Sequence, residues 1–252
     1  MTSNAPAADQ IHMLLPLWKE AFGEWNGFWE LFLETAFSPG RCRCITQQGK
    51  IVASLCWLDV QCGGEKMAYI YAVVTDPACR GQGLCRRLME DTHDYLAENG
   101  YTAVLLVPAQ ESLWDLYQKL GYRDCTRISE FSCNAGPDPV GLRAIGPEEY
   151  ARLRRQFLPE GGVIQEGESL RFLQQQAEFF TGTDVLLAAY REEDTLHAME
   201  LLGDSEAAPG ILAARNCRRG NFRIPGAQKR FSMFLPLPGN AVTPQYFGFA
   251  FD

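Results

Sequence analysis

Apolar positions change period several times along the chain, and each change marks an element. Residues 10–22 and 25–37 repeat at helical spacing. They carry Trp18, Phe22, Trp25, Phe28, Trp29, Phe32 and Phe37, and Ser38-Pro39-Gly40 ends the second helix. Most of these rings are expected to pack helices on a core, and some to wall a substrate pocket. Apolar runs at 41–47, 51–59 and 67–75 read as strands. Gln48-Gly49-Lys50 and Cys62-Gly63-Gly64-Glu65 supply the turn chemistry for two hairpins. Leu84, Leu88, Tyr95 and Leu96 return to helical spacing, and Asn99-Gly100 closes that helix. A buried strand at 101–107, a helix at 111–120 ended by Gly121, and one or two strands at 122–132 follow.

Residues 133–139, with two prolines, a glycine and no apolar period, read as the domain boundary. The expected domains are 1–134 and 140–252. Beyond the boundary the pattern restarts: a strand at 140–144, helices at 147–158 and 169–180, and a hairpin of 185–190 with 195–202. A helix at 209–216 and strands at 230–235 and 246–251 complete it. This order echoes the first half as a diverged repeat. The fold class is α/β (α+β), with mainly antiparallel sheets flanked by helices.

Composition narrows the chemistry. The net charge of −8 opposes a general nucleic-acid binder and suits cationic partners such as amines. No apolar run reaches the length of a membrane span. The polar start shows no secretory pattern. Nine cysteines without framework spacing fit a reduced, cytoplasmic protein. Cys42 and Cys44 form a C-x-C pair with no second pair at zinc spacing, so packing as small apolar groups is expected, and no metal.

The segment Thr75-Asp76-Pro77-Ala78-Cys79-Arg80-Gly81-Gln82-Gly83-Leu84-Cys85-Arg86-Arg87 joins a buried strand to an amphipathic helix. Glycine-freed N–H groups at a helix N-terminus make a phosphate site. A dinucleotide fingerprint would need a third glycine where Arg86 stands, and parallel strands before it; a P-loop would need Gly-Lys-Ser/Thr. Neither pattern is present. Arg80-Gly81-Gln82-Gly83-Leu84-Cys85 instead resembles the acetyl-CoA signature Gln/Arg-x-x-Gly-x-Gly/Ala of the GCN5-related N-acetyltransferases (GNAT), with Cys85 in the last place. Leu113-Trp114-Asp115-Leu116-Tyr117-Gln118-Lys119-Leu120-Gly121-Tyr122 is similar to that family's later helix end. The two segments lie one helix and one strand apart. The resemblance covers residues 10–133, and the whole chain is similar to two-domain, tandem members.

The resemblance implies a gap between the strand ending at Thr75 and the one at 101–107. A pantetheine arm would pair there with Val73, Val74 and Thr75, and the pyrophosphate would rest on Gly81, Gln82, Gly83, Leu84 and Cys85. Arg80, Arg86 or Arg87 would add charge. It also implies direct attack of an amine on the thioester, with Tyr117 as acid for the leaving thiolate. The acceptor would be a primary amine of a small molecule or peptide, with acetyl-CoA as donor. No base is singled out among His12, His93, His197, Glu130, Glu200, Tyr69 and Tyr71. Residues 216–226 stand where the second half would carry a cofactor loop, but lack Gly-x-Gly, so only the first half is expected to bind CoA. Oligomeric state is open. Two rival readings stay open at this level: a CoA-binding regulatory or sensor module with little turnover, and an interaction scaffold.

Overall fold

The computed structural model describes residues 2–23, 27–239 and 242–250. The chain forms two compact units, one of residues 1–123 with 233–242, the other of 124–232 with 243–252. This differs from the expected division at 134/140. The run at 127–134 pairs into the second unit's sheet, so the proline-rich segment after it lies within that unit.

In the first unit a 3₁₀ helix, Ala8–Met13, leads into α1 (Leu14–Phe22), followed by α2 (Phe28–Thr35). The expected start of α2 at Trp25 lies outside the described residues. Then come β1 (Cys42–Gln47), β2 (Lys50–Cys62), β3 (Glu65–Thr75), α3 (Leu84–Glu98), β4 (Ala103–Leu106), α4 (Glu111–Gln118) and the short β5 (Arg123–Asp124). Strands β1 to β3 are joined by two-residue turns. Gln48, Gly49, Gly63 and Gly64 all have positive φ there, which matches strand twist as type I′ hairpins do. One face of the sheet packs on α3 and α4 through Leu55, Trp57, Ile70, Leu88 and Trp114. On the other, α1 approaches β2, and the Trp18 indole N–H donates to Ser54 Oγ at 3.2 Å.

The second unit contains β6 (Arg127–Asn134), β7 (Arg143–Ile145), α5 (Pro147–Phe157), α6 (Glu168–Leu173), β8 (Glu178–Thr181), β9 (Val185–Glu192), β10 (Thr195–Gly203), α7 (Ala208–Ala214), β11 (Arg219–Pro225) and β12 (Lys229–Arg230). Its sheet order is β12-β6-β11-β10-β9-β8-β7. The helix expected over 169–180 stops at Leu173. Phe179 and Phe180 alternate into β8 instead, because a strand partner, β9, is available. The expected strand at 246–251 is only one bridge, Gly162 to Tyr246; Phe247 and Phe249 are buried as core side chains, and Phe251 lies outside the described residues.

The last strand, β13 (Met233–Pro236), returns to the first unit, whose sheet order is β1-β2-β3-β4-β13-β5. It pairs antiparallel with β4 over Met233↔Leu106 to Pro236↔Ala103. A fragment ending at Asn134 therefore leaves β4 with a bare apolar edge. Such a fragment is expected to aggregate or to unfold without a cooperative transition, as checked by size-exclusion chromatography and thermal melting. A monomeric, cooperatively melting fragment would contradict this. No helix among the described residues is long and apolar enough to cross a membrane.

Candidate functional site

Strands β3 and β4 are parallel, yet they pair only at Met67↔Ala103, Ala68↔Val104 and Tyr69↔Leu105. Beyond Tyr69, β3 runs six residues further to Thr75 without a β4 partner. Within that stretch its pairing to β2 jumps from Cys56↔Tyr71 to Ser54↔Val74, so two residues face Leu55 alone. This is a β-bulge, and Ala72 adopts φ 53° in it. A left-handed non-glycine residue stores strain and tends to mark functional backbone. The bulge shifts side-chain parity: Ala68, Ile70 and then Val73 pack toward α3, while Tyr71 stacks on Trp29 of α2 at 6.2 Å. Nothing in the sequence announces this, since alanine has no preference for the left-handed region.

Thr75 closes β3 opposite Ala53, and its carbonyl accepts from Arg80 Nε at 3.3 Å. Asp76 caps the next turn by accepting from the Ala78 N–H at 2.8 Å. Gly81 and Gly83 then take φ of 76° and 75°, and a Cβ on either would meet open space. Glycine is thus required here by the backbone conformation, not by crowding. Gly83 is the N-cap of α3. The first turn of that helix holds no acidic side chain, so its positive end is left uncompensated. Gln82 is exposed in the turn, and Leu84 faces the core. Arg86 is exposed and 3.8 Å from Glu90, a surface pair that leaves its charge largely free. Cys85 turns inward, half-buried, packing against the α3-side core.

Tyr117 lies on α4 and is 7% exposed. Burial, with the Cys85 thiol beside it, raises its hydroxyl well above the ordinary tyrosine value. That hydroxyl has no protein hydrogen-bond partner among the described residues. The Tyr117 ring meets Tyr122 edge-on at 5.8 Å. Tyr122 Oη sits 2.7 Å from Nε2 of His93, whose pKa burial lowers to about 4. His93 follows Cys85 and Met89 at intervals of four, which places it on the buried stripe of α3.

The structure therefore brings Val73 to Arg86 together around one strand–turn–helix junction, with Tyr117 against Cys85. Glu130, Glu200 and His197 belong to the second unit. Glu200 is fully buried in a bidentate pair with Arg154, and Glu130 is paired with Arg223 and Lys229. His197 stacks on Tyr190 at 4.9 Å and lines a cavity of about 370 Å³ with Ser132, Asn221 and Arg223.

The second unit repeats the first unit's core motif. β9 and β10 are antiparallel with an irregularity at Met199, and β10 pairs parallel with β11 only over Thr195↔Arg219 to Ala198↔Phe222. The topological counterpart of the glycine turn is thus residues 204–207, not 216–226, most of which forms β11. Asp204 and Glu206 place negative charge there, and the Asp204 carboxylate accepts from the Glu206 N–H at 2.9 Å.

Comparisons with known proteins agree with this geometry. Residues 4–125 match the acetyltransferase (GNAT) domain family. No curated protein matches the chain in sequence. Among solved structures, a GCN5-related N-acetyltransferase from Kribbella flavida shares the fold, with a TM-score of 0.73 at 21% identity over 93% of this chain and 70% of that one. One from Anabaena variabilis gives 0.76 at 15% identity over 94% and 72%. A tandem GNAT protein from the clavulanic acid biosynthesis pathway gives 0.55 at 12% identity over 94% and 98%. The splayed parallel pair, the bulge and the glycine turn opening α3 all fall within residues 4–125, the segment that matches the acetyltransferase (GNAT) domain family.

Proposed function

We propose that this protein is an acetyl-CoA-dependent N-acetyltransferase that acetylates a primary amine of a small molecule or peptide by direct attack. The observation that carries the reading is the divergence of β3 from β4 after Tyr69↔Leu105, with the bulge at Ala72 inside the opening and two left-handed glycines at its end.

In this reading the strand edge at Val73, Val74 and Thr75 holds the pantetheine amides as an added strand. The N–H groups from Gly81 to Cys85 hold the pyrophosphate at the positive end of α3, with Arg80 and Arg86 at the rim. A bulge N–H near Val73 or Val74 polarises the thioester carbonyl and holds the developing oxyanion. The amine nitrogen bonds to the carbonyl carbon, the C–S bond breaks, the thiolate takes the Tyr117 proton, and the tyrosinate regains a proton from water. The amine's proton leaves to solvent water. A tyrosine kept neutral by burial is suited to donate, because it does not ionise at working pH.

Gly83→Ala tests the phosphate turn. Alanine at φ 75° costs about 1–2 kcal/mol of backbone strain and puts a methyl into the space beside the N–H groups. Acetyl-CoA affinity by calorimetry is expected to fall at least about tenfold. Unchanged affinity would remove the turn from the binding site. Thiol release with a panel of amines tests turnover: acetyl-CoA binding without release for any amine favours a regulatory module instead.

A further inference from the structure

The Tyr117 hydroxyl has no protein partner among the described residues to orient it, so its direction depends on what packs around the ring. A phenol ring on a helix turns about two bonds, and a small rotation sweeps the hydroxyl through a wide arc. Proton donation needs that oxygen within hydrogen-bond reach of the leaving atom.

Tyr122 fixes one side of the ring. It is tied to Tyr117 twice, by its backbone N–H donating to the Tyr117 carbonyl at 3.1 Å and by the edge-on ring contact at 5.8 Å. Its own ring is fixed at the far end, where Tyr122 Oη and His93 Nε2 are 2.7 Å apart and the rings lie 5.5 Å apart. His93 projects from α3, the same helix whose first turn opens the glycine site. The chain of contact therefore runs from α3 through His93 and Tyr122 to Tyr117 on α4. A simple packing role would need neither polar atom, since a plain phenyl ring over an aliphatic side chain would fill the same space. Desolvating the half-buried imidazole has a cost, which its hydrogen bond to Tyr122 helps to offset.

We propose that His93 and Tyr122 are positioning residues for Tyr117: their hydrogen bond locks the Tyr122 ring, and that ring holds the Tyr117 hydroxyl toward the thioester. The inference rests on Tyr117 being the acid.

The test is a set of single and double variants in steady-state acetyl transfer, with melting temperature and acetyl-CoA affinity measured alongside. Tyr122→Phe removes one oxygen and keeps the ring. It is expected to lower kcat about fivefold, with the KM for acetyl-CoA unchanged. His93→Leu is expected to do the same, and His93→Gln, whose amide reaches the Nε2 position, to restore most of the loss. In a Tyr117→Phe background neither change lowers kcat further, because no hydroxyl is left to aim. A general structural defect would instead multiply through that background and shift KM. Full kcat in Tyr122→Phe, or losses that multiply, overturns the positioning role alone. An unaffected Tyr117→Phe overturns the acid assignment and this inference with it. Should His93→Leu fail to fold, Tyr122→Phe and its double variant decide the matter.

Discussion

Tyr117→Phe is expected to lower kcat for acetyl transfer by about a hundredfold, the lower range for a lost general acid. The ring contact with Tyr122 survives the change, so folding and acetyl-CoA affinity should hold. What is lost is the proton for the departing thiolate, which must then come from water. The pH profile carries a second check. Burial raises the Tyr117 pKa, so its neutral, donating form is present below that raised value and lost only above it. The wild-type kcat should therefore show no fall through about pH 9.5, short of the ordinary tyrosine range. A variant with wild-type kcat, or a wild-type decline well below that pH, would show that the proton comes from elsewhere.

Glu200→Gln is expected to destabilise the second unit by about 3–5 kcal/mol, the usual cost of stranding one charge of a buried pair. Glu200 is 0% exposed and Arg154 1%. The guanidinium donates from Nε at 2.7 Å and from Nη2 at 2.9 Å, a bidentate fork. Tyr150 and Tyr246 donate to the same carboxylate at 2.8 and 3.1 Å, and Arg154 Nη1 donates to the Val163 carbonyl at 2.8 Å. One carboxylate thus joins β10, α5 and the segment around Tyr246. Gln keeps the shape but not the charge, and it adds two donors where only acceptors fit. Urea unfolding measures the effect. The paired replacement Arg154→Met with Glu200→Leu should recover part of the loss, since it buries no unpaired charge. A shift within about 0.5 kcal/mol for Glu200→Gln, the range of ordinary surface changes, would mean that the pair is not sealed from water.

Much of the site was legible because its signals are local. Gly81 and Gly83 are glycines for a conformational reason that one residue can carry, and the helix after them has an apolar stripe visible at intervals of three and four. The hairpin turns were legible for the same reason. The carboxylate of Glu200 stood out as a charge inside an apolar strand run. Its role was not legible, because its three partners lie 46 or more positions away in sequence and only the fold brings them to it.

Local patterning by itself determined the order of most helices and strands, the position of the glycine turn and the family resemblance. Each depends on neighbours within a turn or a hairpin. Only the tertiary structure decided three things. It moved the domain boundary, because β6 finds its partner in β11 and β13 finds its partner in β4, far along the chain. It created the bulge at Ala72, where a left-handed alanine is held by the strand pairing around it rather than by its own preference. And it turned Cys85, His93, Tyr117 and Tyr122 into one packed group, since side chains from two helices meet only when the sheet they both pack on sets their distance.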